Sequence, residues 1–436
     1  MKNLLKFFLE VEKLKQMPRT GWVLMEVENP ETVAEHAFRV AILAWLLSEK
    51  KNLNIGRTIK IALVHDCCKV YSGDIPHLLY YVHSPKMRWV RLSQKEKEKR
   101  GRKKFELERK SLLKLLKFLN PRLKKEIFSH WLTYERRAIE KRIIRGGNFV
   151  EQVHRMETLI QSIEYFGTNE KKAGTTWWEF TEEIIDDPLI SKFLKVLQKK
   201  FYEKKTISDK EEEELENVLD FVIKIGKLKH LPRTLWLSLG VNNPETVGGH
   251  IFTVTLMAWI FGIERKEIDL EKSLKMALCH EMPAVYTEDL ITPFNKILPK
   301  DEKERRKIFQ KWPRLAKKEK EKIFFEDYQK EKKALEKLTQ KLTLSLRKEI
   351  VGLWDEYKRN LTPEARFVNQ INVLAVLLQA LLYQKKDKNL PIAWIWEWAF
   401  EKCECPIILT FLEELKGKFY KQNSIKKAFF KFLGLG

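Results

Sequence analysis

Residues 62–75 read Ala-Leu-Val-His-Asp-Cys-Cys-Lys-Val-Tyr-Ser-Gly-Asp-Ile, and the rest of the chain is arranged around this stretch. Its apolar residues predict a helix over about 58–71, ended by Gly73, that carries the adjacent pair His65 and Asp66. An ionised carboxylate among apolar side chains is costly unless it is paired or bound to a metal. Taken alone, the pair is more simply explained as a core histidine beside a solvent-facing aspartate.

The neighbourhood of this pair occurs twice, and the repetition changes that interpretation. Pro-Arg-Thr at 18–20 returns at 232–234, Asn-Pro-Glu-Thr-Val at 29–33 returns at 243–247, and Ala-Leu-Val-His-Asp at 62–66 returns as Ala-Leu-Cys-His-Glu at 277–281. The spacing indicates a tandem duplication of one domain of ordinary size. We expect one domain over residues 1–205 and a second over 206–436, each long enough to bury its own core.

The composition indicates a folded, intracellular protein. The chain has 436 residues, of which 44% are hydrophobic, and we expect neither a membrane-spanning segment nor a signal peptide. The five cysteines lack zinc-finger spacing, and four of them stand too close in pairs for ordinary disulfides. Reduced thiols predict a cytoplasmic location.

Positive charge is concentrated in one part of the first copy. The chain has a net charge of +23, and residues 86–150 hold 22 Lys and Arg against 7 Asp and Glu. The candidate polyanion contacts are Arg100, Arg102, Lys103 and Lys104, with Trp89 nearby to stack on an unpaired base. The mixed signs in this window are equally typical of a solvated helix face.

Helical signals account for nearly all of the chain, and strand signals are almost absent. Asn29-Pro30 predicts a helix start, with asparagine as the N-cap and proline at the first helical position. Asn243-Pro244 repeats that signal in the second copy. We therefore expect an all-α protein.

Three predicted helices of the first copy present residues that bind metals. They carry His36, the pair His65 and Asp66, and His154. Imidazole nitrogens with a carboxylate oxygen suit a divalent transition metal such as Mn, Fe, Co, Ni or Zn. Such a metal could lower the pKa of a bound water and polarise a phosphoryl oxygen.

Two further residues suit a phosphorylated sugar. The guanidinium fork of Arg19 matches a phosphate, although a structural salt bridge is an equally good explanation. Asp74 could accept a hydrogen bond from a sugar hydroxyl.

Together these motifs resemble the HD-domain phosphohydrolases, and most closely the branch of 5'-deoxynucleotidases. The motifs are Pro-Arg-Thr-Gly-Trp at 18–22, Pro-Glu-Thr-Val-Ala-Glu-His at 30–36, Ala-Leu-Val-His-Asp at 62–66 and Gly-Asp at 73–74. The resemblance implies an all-helical fold, a divalent metal held by a His, a His-Asp pair and a distal Asp, and removal of phosphate from deoxynucleoside monophosphates. It also places Arg19, Trp22 and Asp74 at the substrate.

Both copies depart from the family pattern. In the first copy His154 falls at the distal Asp, and Lys69 replaces a Glu thought to assist proton transfer. A cation at that position removes a general acid or base and repels a metal.

The second copy departs further. Asn372 replaces the distal Asp, Glu281 replaces the Asp of the pair, and Ala284 replaces the Glu. Since His250, His280 and Arg233 remain, we interpret this copy as a degenerate site.

Two functions are compatible with this sequence. The first is a metal-dependent phosphohydrolase of nucleoside monophosphates that works through the first copy, with Asp66, Asp74 and position 69 at the reaction centre. The second is a catalytically degenerate pair of HD-type domains that serves as a binding module for RNA, single-stranded DNA or a ribonucleoprotein. The sequence leaves open whether the protein forms a homodimer.

Overall fold

The computed structural model of the chain describes residues 2–75, 93–140, 147–168, 175–182, 184–291, 299, 301–311 and 315–419. Over these residues it is all-α, as predicted, and only two isolated β-bridges join Pro18 to Thr32 and Pro232 to Thr246. Each bridge lies at the same place in its own copy. The structure therefore repeats the duplication seen in the sequence.

The first copy contains α1 (Lys2–Val11), α2 (Thr20–Leu24), α3 (Val33–Glu49), α4 (Ile55–Val64), α5 (Lys69–Ser72), α6 (Gln94–Leu116), α7 (Pro121–Glu140), α8 (Gly147–Phe166), α9 (Thr175–Glu182) and α10 (Pro188–Gln198). The second contains α11 (Lys210–Gly226), α12 (Thr234–Ser238), α13 (Val247–Gly262), α14 (Leu270–Cys279), α15 (Ala284–Thr287), α16 (Glu302–Lys311), α17 (Lys317–Thr339), α18 (Leu344–Arg359), α19 (Pro363–Lys386), α20 (Ala393–Lys402) and α21 (Pro406–Phe419). Short 3₁₀ helices at Glu12–Gln16 and Lys227–Lys229 precede α2 and α12.

The two copies share one hydrophobic core. Helix α3 is buried over Val33–Ser48 and packs against α4 and α8 of its own copy and against α13 of the other. Helix α13 is buried along its whole length and packs in turn against α14 and α19. Apolar burial is the main stabilising term in folding, so each copy depends on the other for part of its stability.

The helix expected over 58–71 is interrupted at the His-Asp pair. Helix α4 ends at Val64, and α5 begins only at Lys69. The Nδ1 atom of His65 lies 2.7 Å from the carbonyl oxygen of Ala62, which a continuous helix would offer to the backbone N–H four residues later. The side chain therefore competes with the backbone and turns the chain at the functional pair.

Helix α3 begins later than predicted. Asn29 has a positive φ of 53°, so it belongs to a turn and does not cap a helix. Asn243 repeats this with a φ of 49°. The N-cap of α3 is Thr32, which forms a capping box with Glu35.

One helix, α19, is long and apolar enough to cross a membrane by composition, although no such segment was expected. Its most apolar window is 78% buried inside the protein. That burial is typical of the core helix of a globular domain.

Candidate metal centre

Three histidines converge between α3, the end of α4 and α8. The Nδ1 atom of His154 lies 3.2 Å from Nε2 of His36 and 3.1 Å from Nε2 of His65. All three rings are buried. Three imidazole nitrogens that face one another at this spacing form a nitrogen donor set suited to a transition metal.

Polar groups on the far side of two rings hold them in place. The Nδ1 atom of His36 lies 2.5 Å from Oε2 of Glu157, and that of His65 lies 2.7 Å from the carbonyl of Ala62. Nδ1–H of His65 therefore donates to the carbonyl of Ala62, which leaves the lone pair of this ring on Nε2. Metal-binding histidines are held in this way by a carboxylate or a carbonyl.

The charge state of the rings also suits a metal. Burial and the neighbouring Arg19 lower the pKa of His36 to about 4, against the opposing effect of Glu157 and Glu31. Burial and the other two histidines lower the pKa of His154 well below its usual range. These rings are neutral at pH 7, which is the form that coordinates metals.

Asp66 stands outside the group of converging atoms, although the sequence placed it among the ligands. Its Oδ2 lies 3.3 Å from Nε2 of His65 but only 2.7 Å from Nζ of Lys69. Burial alone would raise the pKa of Asp66, but His65 and Lys69 lower it well below its usual range. An ionised carboxylate thus adjoins the histidines while paired with a lysine.

Lys69 joins two of the predicted catalytic residues. Its Nζ also lies 2.6 Å from Oδ1 of Asp74, and the other oxygen of Asp74 accepts a 2.6 Å hydrogen bond from the backbone of Thr20. Although burial favours the neutral amine, both carboxylates raise the pKa of Lys69. Lys69 is therefore a permanent cation at neutral pH and cannot act as a base.

Arg19 lies at the edge of the cluster, with 11% of its side chain exposed. Its Nη1 donates to Glu31 at 3.2 Å and lies 2.9 Å from Nδ1 of His36. A guanidinium can only donate, so Nδ1 of His36 accepts in this contact.

Trp22 is 1% exposed, and its Nε1 donates to Glu31 at 2.8 Å. Its ring packs against Tyr165 and Trp177. This geometry supports a structural role for Trp22 in place of the substrate contact predicted from the motif.

Comparison with known proteins identifies the family. The HD domain family model matches residues 11–196 and again residues 225–395. The chain belongs to the HD domain family. It is 32% identical over 173 residues to the 5'-deoxynucleotidase HDDC2 of Xenopus laevis, an alignment that covers 40% of this chain and 72% of that protein.

Two further relatives match over similar lengths. The 5'-deoxynucleotidase HDDC2 of Dictyostelium discoideum is 34% identical over 182 residues, which are 40% of this chain and 82% of that protein. A solved structure of a conserved hypothetical protein from Pyrococcus furiosus is 30% identical and covers 45% of this chain and 98% of that one, with a TM-score of 0.34.

The second HD copy brings the equivalent residues together in a different bonding pattern. Nε2 of His250 lies 2.8 Å from Oδ1 of Asn372, whose Nδ2 donates to the hydroxyl of Tyr357 at 2.8 Å. In this assignment Nε2 of His250 must carry the proton, so its lone pair faces away from Asn372. In the first copy the equivalent atom, Nε2 of His36, faces Nδ1 of His154.

The acidic residues of the second HD copy are held by Arg233. Its Nη1 lies 2.8 Å from Oε1 of Glu281 and 3.0 Å from Oδ1 of Asp289. Glu281 is close enough to His250 and His280 to complete a set of three potential ligands. However, its carboxylate is already neutralised by the guanidinium.

The basic residues of the first HD copy that were predicted to contact a polyanion differ in their exposure. Arg100, Arg102 and Lys103 are exposed on α6. Lys104 instead pairs with the buried Glu108 at 2.6 Å, so it supports the fold. Trp89 lies outside the described residues.

Three residues that build this centre were not predicted from the sequence as site residues. They are Glu157, Glu31 and Lys229. A signal was present for Glu31, which belongs to the repeated Pro-Glu-Thr motif, and for Lys229, which occupies the same place in its copy as Lys15.

Proposed function

We propose that the chain is a metal-dependent phosphohydrolase of nucleotides, acting on deoxynucleoside monophosphates through its first HD copy. The observation that carries the proposal is the convergence of His36, His65 and His154, with the outer nitrogens of His36 and His65 held by polar partners. The relatives that are named 5'-deoxynucleotidases supply the substrate class.

The three histidines would hold the metal, whose identity among Mn, Fe, Co, Ni and Zn the donor set does not select. A bound metal lowers the pKa of a coordinated water and polarises a phosphoryl oxygen. Arg19, partly exposed beside His36, places a positive charge where a phosphate would approach the histidines.

Lys69 and Asp66 are poorly suited to proton transfer. Lys69 stands at the position that the family gives to a Glu, and the two carboxylates around it keep it protonated. Asp66 is ionised but has a low pKa, which makes it a poor base. We therefore expect slow turnover.

The proposal is tested by the metal content and hydrolytic activity of the purified protein. One metal is expected per chain, because the tautomer of His250 and the pairing of Glu281 disfavour binding by the second copy. His65→Ala should abolish metal binding and hydrolysis of deoxynucleoside monophosphates. His280→Ala is the matched control, and loss of metal in that variant but not in His65→Ala would contradict the assignment.

The alternative, a degenerate HD pair that binds RNA or single-stranded DNA, also remains a prediction. The exposed Arg100, Arg102 and Lys103 support it, and the inward pairing of Lys104 reduces that support. The cytoplasmic location and a homodimer are likewise kept as predictions.

A further inference from the structure

The side chain of one lysine of the second copy is buried among residues of the first copy. Lys229 closes the short 3₁₀ helix Lys227–Lys229, and its side chain is completely buried. Its Nζ bonds Glu31, lies 2.5 Å from Oε1 of Glu157 and lies 2.7 Å from Oε1 of Gln161. An ammonium has three N–H donors, and all three have an acceptor here.

The contact with Glu157 leads directly to the candidate metal centre. One oxygen of Glu157 accepts from Lys229 and from Nε of Arg39, which lies 2.8 Å away. The other oxygen lies 2.5 Å from Nδ1 of His36. Lys229 is thus one residue removed from a histidine that faces the metal position.

Resting on the proposed function, we propose that Lys229 is a positioning residue for the first metal centre, supplied by the second copy. Its ammonium holds the Glu157 carboxylate against Nδ1 of His36, so that the ring keeps the orientation in which Nε2 faces His154 and the metal position. Outer partners of this kind orient the ring and tune metal affinity.

The second copy also leaves room for this arrangement. A Cβ on Gly226 would lie 2.4 Å from Nη1 of Arg39 and 2.8 Å from Oε1 of Glu164. Arg39 needs that space to reach both Glu157 and Glu164. The second copy therefore contributes the bond from Lys229 to Glu157 and, at Gly226, the space that Arg39 occupies.

Lys15 makes the reciprocal contact, from the first copy to the second. Lys15 enters the second copy and lies 2.6 Å from Glu245 and 2.6 Å from Gln379. Ala375 stands where the first copy has Glu157, and Glu245, which pairs with Lys15, lies 3.8 Å from Nδ1 of His250. Lys15 is therefore a buried lysine, paired with Glu12, Glu245 and Gln379, that serves the copy without a proposed metal centre.

This difference provides a matched pair of variants, Lys229→Met and Lys15→Met, in the full chain. Each replaces a buried ammonium by an apolar side chain of similar length, and both should lower the stability of the metal-free protein. Their effects on metal binding should differ. Co²⁺ is the probe, because its visible absorption reports coordination without any measurement of activity.

Lys229→Met is expected to weaken Co²⁺ binding by about 10- to 100-fold and to alter the visible spectrum of the complex. Lys15→Met is expected to keep the wild-type affinity and spectrum. If Lys229→Met is insoluble, Lys229→Gln, which retains an N–H donor without the charge, should show the same loss.

Two results would overturn the inference and leave the proposed metal centre in place. Wild-type Co²⁺ affinity in the Lys229 variants would show that the lysine only stabilises the interface, and an equal loss in Lys15→Met would show a general effect of destabilisation. Failure of the wild-type chain to bind Co²⁺ would overturn the proposed metal centre as well. The proposed function stands if wild type binds Co²⁺ and only the dependence on Lys229 is absent.

Discussion

At the scale of single residues, the two copies differ most in the groups that contact the equivalent histidines His36 and His250. Glu157 and Arg19 both contact Nδ1 of His36, whereas the amide oxygen of Asn372 accepts from Nε2 of His250. The nearby cations differ in a related way, because Lys69 neutralises Asp66 in one copy and Arg233 neutralises Glu281 in the other. Differences at a few side chains thus distinguish the donor set of the first copy, which suits a metal, from the paired polar cluster of the second.

Lys69→Gln should strengthen metal binding while it weakens the fold. It removes a positive charge 2.7 Å from Asp66 and releases that carboxylate toward His65. Breaking a buried ion pair by removing one partner costs about 3–5 kcal/mol of the free energy of unfolding. Mn²⁺ titration and urea unfolding would measure both effects.

Lys60→Gln is the control for this variant, because Lys60 pairs with Glu126 at 3.3 Å on the partly exposed side of α4. That control should change neither quantity by much. A folded Lys69→Gln protein with weaker Mn²⁺ binding than wild type would contradict the role given to Lys69.

His280 should make the metal-free protein less stable in mild acid. Burial lowers its pKa to about 4, against about 6.5 in an unfolded chain. Between these values the unfolded state binds the extra proton, so the contribution is complete above about pH 6.5 and is lost as the pH falls toward 4. Urea unfolding at several pH values would show this slope.

His280→Asn removes the titrating ring and keeps an N–H donor for the carbonyl of Ala277. Its free energy of unfolding should therefore depend less steeply on pH between 6.5 and 4 than that of wild type. Identical slopes in the two proteins would exclude His280 as a contributor.

At the scale of helices, the sequence predicted which segments are helical better than where they begin and end. The duplication and the apolar periodicity were sufficient for the all-α class. The start of α3 was misplaced because Asn29-Pro30 satisfies a helix-start pattern, although Thr32 and Glu35 form a stronger one. The break after α4 was missed because it depends on a side chain that bonds its own backbone, which residue spacing alone does not reveal.

The same limit applies to the candidate site. His36 and His65 belong to recognisable motifs, and His154 falls at the position of the family's distal Asp, which was sufficient to propose that the three converge. Lys229 and Glu157 could not be paired in advance, because their contact depends on how one copy packs against the other. Such long-range relations are set by the tertiary fold and leave no local pattern.

Helix α6 allows a test of the nucleic-acid alternative. If this surface binds a polyanion, Arg100→Glu, Arg102→Glu and Lys103→Glu together should weaken binding to single-stranded RNA and flatten its salt dependence. Lys104 is left unchanged because it neutralises the buried Glu108. Filter binding at several salt concentrations is the measurement.

The matched control reverses Lys317, Lys318 and Lys320, which are exposed on α17 of the second copy. It changes the net charge by the same amount at a different place. Equal losses in the two triple variants would mean that total charge, and no defined surface, governs the binding.

At the scale of the whole molecule, the shared core predicts that both copies unfold together. Helices α3 and α13 are buried against each other, and ion pairs cross in both directions through Lys15 and Lys229. We expect one calorimetric transition with equal calorimetric and van't Hoff enthalpies. Two resolved transitions would show that the copies are thermodynamically independent.

The exchange of lysines between the copies also has an evolutionary consequence. In a dimer of identical subunits, every substitution appears twice, so neither centre can change without the other. A covalently fused pair escapes that constraint, and this chain carries Glu157 opposite Ala375 and Gly226 opposite Glu12. Gene fusion thus permits a division of labour, in which one half retains reactive chemistry while the other is free to evolve as its permanent support.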